Sequence, residues 1–430
     1  MRGKDLLEKM VYIRPDMIEE AERAPKKHFF IGPICAAASV LVVGAIGLIS
    51  LNDGINPQPG VTESQPSATE PQPSTSDPQP STTDPQPEKD YSNLPIISPG
   101  EVIGACGFEG YNVYDISELV GQSYLDGKPT PETLPVFKNH YAEADVEQMK
   151  QEILEAAENL GLDTETLEIT DDAPSESAIE KMKEAFGGGE IPPEYLLPSM
   201  VEAEQGRYRI TYTIGGTLDV KLTEPEKMPD GLCCKPYEST PEQLLKAGEY
   251  LANKYADLLG MENPTVYLED GHYNFYGEQE YNIRVFDDSG SEEERLLNCT
   301  FRYVSLRFDD NGDLFIIRFN KSDLSDRIGD YPIISEQQAL QLLDEGRYIS
   351  TLFHTPSSDR VERAVLTYRT GQKSEYFLPY YKFFIDVTDD EQIVGLPEGL
   401  RIYGTYYVPA VDPAFLDQMT IWNGSFNSGQ

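Results

Sequence analysis

Histidine, cysteine and clustered carboxylates are the residues of this chain with chemistry to offer, and their spacing argues against most of it. His28, His140, His272 and His354 are scattered, with no two four residues apart and no His-Glu-x-x-His stretch. A zinc site needs Cys or His ligands at short spacing. His272, near Asp270 and Glu278, is the best loose cluster, and it reads as a loop histidine. Of five cysteines, Cys35 lies in an apolar run, leaving Cys106, Cys233, Cys234 and Cys299. That is too sparse for a disulfide scaffold. Neighbouring Cys233 and Cys234 cannot bridge to each other without strain, and a bridge from one of them to Cys106 or Cys299 stays open. The stretch Asp309-Asp310-Asn311-Gly312-Asp313 is acidic enough for calcium. An EF-hand loop, however, wants Gly at its sixth position, which puts Arg307 at the first. A hairpin turn explains it better.

Gly187-Gly188-Gly189 follows a helical pattern instead of a strand and reads as a flexible connection. No Gly-x-Ser-x-Gly elbow, phosphate-binding loop or dinucleotide fingerprint is present. Acidic residues are so numerous that no pair stands out as general acid and base. Trp422, in a polar tail, reads as a packing anchor. The chain is therefore expected to be no enzyme, with no catalytic, cofactor-binding or metal-binding residue and no cofactor.

The elements that would position such residues follow from one apolar run. Residues 29–51 are 23 residues without a charged side chain. About 20 apolar residues cross a hydrocarbon core about 30 Å thick, and inside it a helix satisfies its own backbone. Lys26, Lys27 and His28 precede the run, with Arg14 and Arg23 upstream, and no Lys or Arg follows until Lys89. Positive charge stays cytoplasmic, so the N-terminus is expected inside and the bulk of the chain outside. A cleaved signal peptide fits less well: its apolar region is about 7–15 residues, and Ile49-Ser50-Leu51 is a poor cleavage site. Ile34 before Cys35 argues against a lipoprotein. Cys35 reads as a small hydrophobe in the membrane.

Residues 1–28 carry Leu6, Leu7, Met10 and Val11 on one helical face before Pro15. They are a frayed tail or a docking helix that folds on a cytoplasmic partner. Residues 52–92 are a Pro/Ser/Thr-rich linker. Glu70-Pro71-Gln72-Pro73-Ser74-Thr75 recurs seven residues later from Asp77, and again from Asp84. Such a disordered, extended stalk would span on the order of 100 Å.

The chain has 34 basic and 74 acidic residues, net −40. The first 28 residues contribute +1, so about −41 lies beyond them. That charge excludes nucleic acid as a partner. It reads as a solvated surface.

Residues 93–430 should form two subdomains, 93–232 and 233–430, of helices packed on antiparallel sheets. The class is α+β. Three segments share an order of elements. In the first, a helix with Met149, Ile153, Leu154 and Ala157 closes at Gly161. A short helix over 178–186 follows, then a strand at Tyr208–Tyr212. In the second, Thr240, Pro241 and Gln243 form a capping box. Leu244, Ala247, Leu251, Tyr255 and Leu258 make its buried stripe, and Gly260 ends it. Strands follow at Val266–Leu268 and Tyr281–Phe286. An acidic loop then leads to strands at Phe301–Phe308 and Leu314–Phe319. In the third, Ser335 and Gln338 start a helix ending at Gly346, and strands follow at Val361–Tyr368, Glu375–Val387 and Leu400–Val408. The echo of Leu160-Gly161-Leu162…Leu167-Glu168-Ile169 by Leu259-Gly260-Met261…Val266-Tyr267-Leu268 suggests a helix-then-meander unit used more than once.

Two stretches carry a family resemblance. Gly3-Lys4-Asp5-Leu6-Leu7-Glu8-Lys9-Met10, with Ile13, Pro15 and one membrane helix, resembles the short cytoplasmic heads of single-pass regulators in Gram-positive bacteria, of the anti-sigma kind. Tyr331-Pro332-Ile333-Ile334-Ser335, Leu366-Thr367-Tyr368, Leu378-Pro379-Tyr380-Tyr381-Lys382-Phe383 and Tyr406-Tyr407-Val408-Pro409-Ala410-Val411 come in an order similar to extracellular regulators of the WalK histidine kinase, the YycH/YycI type. More loosely, they resemble PepSY-like modules. The resemblance implies a non-enzymatic regulatory or sensing protein of the cell membrane, acting on a sigma factor or sensor kinase. The alternative is a stalk-presented module that binds wall polymer or protein. Expected partners are the membrane, a cytoplasmic protein through residues 1–28, and an extracellular protein or wall ligand.

Overall fold

The computed structural model describes residues 91–99, 110–140, 145–186, 189–191, 195–274, 276–350, 352, 355–370, 374–390 and 396–417. The expectations for residues 1–28, 29–51 and most of 52–92 lie outside these, as do those for Cys35, Cys106, His28, His354 and Trp422. Among the described residues no helix is long and apolar enough to cross a membrane. Tyr91, at the end of the stretch read as linker, meets Phe415 edge-on at 6.4 Å.

The α+β class is observed. Its strands are β1 Tyr111–Tyr114, β2 Thr133–Lys138, β3 Ile169–Asp171, β4 Met200–Gln205, β5 Tyr208–Thr213, β6 Thr217–Glu226, β7 Pro264–Tyr273, β8 Gln279–Asp287, β9 Tyr303–Phe308, β10 Leu314–Asn320, β11 Arg327–Pro332, β12 Val361–Tyr368, β13 Tyr376–Phe377, β14 Pro379–Asp386 and β15 Arg401–Pro409. The helices are α1 Val146–Asn159, α2 Glu176–Ala185, α3 Pro241–Lys254, α4 Ala256–Leu259, α5 Glu292–Phe301 and α6 Glu336–Asp344. Twelve strands form one antiparallel sheet in the order β12-β14-β15-β1-β7-β8-β9-β10-β6-β5-β4-β3, and β11-β2-β13 form a second.

The sheet consists of three blocks of four strands. The meander β3–β6 follows α1, and the meander β7–β10 follows α3. The third block, β12-β14-β15, follows α6 and is completed by β1 from the other end of the chain. Five ladders, β6·β10, β1·β15, β1·β7, β2·β11 and β2·β13, join residues on either side of the 232/233 boundary.

Local signals explain the helices. Thr240 Oγ1 accepts the Gln243 N–H while Gln243 Oε1 accepts the Thr240 N–H at 3.0 Å, and Ser335 and Gln338 repeat the arrangement. Such a cap contributes about 1 kcal/mol. The stripe Leu244, Ala247, Leu251, Tyr255 and Leu258 is buried, although the helix breaks at Tyr255 and resumes as α4. The acidic loop expected before β9 is wrong: residues 292–301 are the helix α5. Ser291 and Glu294 form a third capping box there, and three consecutive Glu favour the positive end of the helix dipole. Leu296, Leu297 and Phe301 then bury its inner face.

Strand alternation sorts the sheet into two faces. Under α1 and α3, Val201, Ile210, Val220, Ile283, Val285, Val304 and Ile317 build the largest core. Each such side chain contributes about 1.5–3 kcal/mol on burial. Gly248 lets α3 sit close, since a Cβ there would fall 2.5 Å from Val266 Cγ1. A second core, around Phe301, Tyr368, Phe383 and Tyr406, lies under α5 and α6.

Candidate functional site: a groove between the blocks

A cavity of about 590 Å³ opens where the ends of several elements converge. The start of α1 supplies Asp145, Met149 and Glu152. The β5–β6 turn supplies Ile214 to Gly216, the irregular segment after β10 supplies Lys321 to Ser325, and Arg302, His140 and Phe377 complete the wall. The turn docks tightly on that segment: the Lys321 N–H donates to the Gly216 carbonyl at 2.7 Å. Gly216 has φ +71°, and a Cβ there would stand 2.5 Å from the Lys321 carbonyl oxygen, so only glycine fits.

The walls carry both signs of charge over an apolar floor. Lys321 Nζ donates to Glu152 Oε2 at 2.5 Å, and His140 Nε2 stands 3.1 Å from Asp326 Oδ2. Burial alone would raise the Asp323 carboxyl, but hydrogen bonds from Ser325 and the charges of His140 and Arg302 outweigh it and hold it below the usual range. Burial, with Glu152 and Asp323 nearby, pushes the Tyr212 hydroxyl up to about 12, so it stays a neutral donor. A second cavity of about 330 Å³ shares Arg302, Lys321 and Ser322 with the first and continues toward Leu259 and Met261. Together they make a groove with two cations at its saddle. Its size falls in the range of ligand pockets, about 300–1,000 Å³.

A second polar centre is buried on the other face of the sheet, beside α5 and residues 121–124. Glu269 ion-pairs with Arg284, whose guanidinium lies 4.0 Å above the Tyr303 ring. Burial raises the Glu269 carboxyl, opposed by Arg284 and reinforced by Asp270. A paired, stacked charge of this kind is a device of register more than of catalysis. Burial also pushes the thiols of Cys234 and Cys299 up, to about 12 and about 11, away from the reactive thiolate form. Cys233, Cys234 and Cys299 are free.

The residues singled out from the sequence are dispersed. His272 is not in a loop: it lies in β7, with Nδ1 2.9 Å from Asp270 Oδ2 and Nε2 3.6 Å from Glu280 Oε2. Glu278 instead accepts from Asn274 Nδ2 at 2.7 Å. The cross-strand register, which pairs His272 with Glu280, decides this. Asp309–Asp313 is the hairpin turn expected: Asp309 Oδ1 accepts the N–H groups of Asn311 and Asp313, and Gly312 has φ +82°. Among the described residues no group of three or more His, Cys, Asp or Glu could hold a metal ion. The groove residues escaped the sequence because they come from segments up to 238 positions apart, from Asn139 to Phe377, and no local pattern links them.

These features define an α+β protein with an inter-block groove. No protein-family model matches the chain, and no curated protein matches it. Among solved structures it is similar to the crystal structure of an uncharacterized protein from Eubacterium rectale ATCC 33656, at 11% identity, over 66% of this chain and 85% of that chain, with a TM-score of 0.32. A likeness at that TM-score carries no argument.

Proposed function

We propose that this chain is a membrane-anchored, non-enzymatic regulatory or sensing protein whose extracellular part takes a short peptide in its groove. In this reading residues 1–28 are cytoplasmic, 29–51 span the membrane and 52–92 are a stalk. A sigma factor or sensor kinase is the class of target. The observation that carries the proposal is the groove: cations at its saddle, carboxylates along its walls, and Met149, Leu324 and Phe377 beneath. Such a surface suits a ligand with both charge signs and an apolar side chain, which is the chemistry of a short peptide. Because its walls come from separate blocks, a bound peptide would tie those blocks together.

The test is calorimetry of the full-length chain against a pool of short peptides. Saturable binding is expected, and Arg302→Glu should weaken it at least tenfold, about 1.4 kcal/mol. No heat from any peptide, or binding indifferent to Arg302→Glu, would count against the groove. The tether is tested separately by a tag at Gln430, which should be reachable in intact cells. The cytoplasmic head is tested by whether residues 1–28 enrich a sigma factor or kinase.

A second reading, a surface-displayed module for wall polymer or protein, is favoured by a partly exposed row of polar side chains on β10, β6, β5 and β4. The row runs Arg318, Asp219, Thr211 and Glu202. Retention on isolated cell walls, lost with Arg318→Glu but kept with Arg302→Glu, would favour it over the groove.

A further inference from the structure

We propose that Asp270, His272 and Glu280 form a pH-responsive latch on the seam that joins β1 to β7. The seam is narrow. β1 pairs with β7 through Val113↔Tyr273 and Tyr114↔His272. Beside that ladder, Val120 and Asp270 exchange both backbone hydrogen bonds at 3.0 Å. The backbone at this point is strained. Asp270 has φ +92°, outside the regions non-glycine residues favour, and the β7·β8 register slips between Asp270 and His272. Strain of this kind persists only where the surroundings hold it.

His272 is placed to hold it. Its ring stands between the Asp270 carboxylate on its own strand and the Glu280 carboxylate on β8. From β1, the Tyr114 hydroxyl bonds to Asp270, and burial together with that carboxylate keeps it protonated. From the loop after β1, Glu118 is committed to the Tyr273 hydroxyl and the Gln279 amide. Glu269, next along β7, is paired with Arg284. Arg307 on β9 also acts on Glu280, and the imidazolium is the cation that faces both Asp270 and Glu280. When charged it donates to one carboxylate and attracts the other. When neutral it keeps one N–H and leaves two carboxylates facing each other across an uncharged ring.

Burial by itself would lower the His272 pKa, but the Asp270 hydrogen bond and the Asp270 and Glu280 charges raise it above the ordinary 6.5. A raised pKa means that the latch is fully closed below the ordinary value. It weakens as pH rises through the folded-state value. The latch thus opens toward alkaline pH. It does not depend on the groove having a ligand.

The test is an NMR titration of His272 in the full-length chain, with amide hydrogen exchange measured across the same pH range. The expected midpoint lies above 6.5. Protection at the Val120 and Asp270 amides, corrected for intrinsic exchange, should fall through that midpoint by up to about tenfold per pH unit. Protection at Val220 in β6 should not follow. His272→Gln should remove the pH dependence at Val120 and Asp270. A midpoint at or below 6.5, or protection at Val120 and Asp270 that is flat across the titration, would overturn the latch. Both outcomes are readable in the unaltered protein even if the variant fails to fold.

Discussion

The twelve-stranded sheet has two seams between its blocks, and they are built differently. Where β10 meets β6, five consecutive residue pairs run from Ile316↔Lys221 to Asn320↔Thr217. There Arg318 grips Asp219 through two hydrogen bonds of 2.7 Å, and an apolar core under α1 and α3 runs continuously beneath the ladder. Where β1 meets β7, two pairs and a strained bulge make the join. The broad seam rests on ladder length and packing, which titrate little near neutrality. The narrow seam rests on a glycine contact and a histidine. One sheet therefore contains a weld and a latch, and the latch is where conditions outside the fold can act.

Four substitutions and one pH series break or sharpen that contrast. The largest effect is expected at Phe301, which is 1% exposed and meets Phe137 and Phe377 of the second sheet and Tyr368 of β12, tying α5 to both. Phe301→Ala should cost about 4 kcal/mol in denaturant unfolding. A cost under about 1 kcal/mol would mean that the aromatic cluster does not fasten α5 to β12 and the second sheet. Gly121→Ala comes next, at about 3 kcal/mol. Gly121 has φ +58°, and its Cβ would overlap the Leu268 carbonyl oxygen.

Gly216→Ala probes the turn beside the broad seam and should cost about 2 kcal/mol, since its φ is similar but the overlap is milder. If Gly216→Ala proves the more damaging of the two, the ranking of the seams is inverted. Asp219→Ala should cost about 1 kcal/mol, and raising salt should shrink that difference, because both partners of the fork are partly exposed. The smallest effect is global stability between pH 6 and 8. His272 acts on one seam, so the unfolding midpoint should decline slightly with rising pH while local exchange at Val120 changes more.

Much of the fold was legible locally. Thr240-Pro241-Glu242-Gln243 and Ser335-Glu336-Gln337-Gln338 announce helices because a side chain three residues away satisfies free backbone groups. Ser291-Glu292-Glu293-Glu294 carries the same message. It was hidden by its charge, since three acids read as solvent-exposed loop until Leu296, Leu297 and Phe301 are seen packed. The turn at Asp309–Asp313 needed only its own residues to form. The groove had no such signature. Lys321 and Glu152 are 169 positions apart and meet only because the β5–β6 turn docks on the segment after β10.

His272 divides the two kinds of knowledge. The sequence by itself marked it as the histidine with carboxylates near, because proximity along a chain is visible in a string of letters. It also determined the capping boxes, the hairpin turn, the helix-then-meander order and the class, all of which depend on groups within a few residues of one another. Only the tertiary structure decided that Glu280 and not Glu278 faces His272, that the first strand closes the last block, and where the groove opens. Those outcomes depend on strand register and on which block lies beside which, and both are set by burial summed over the whole sheet, which no short stretch contains.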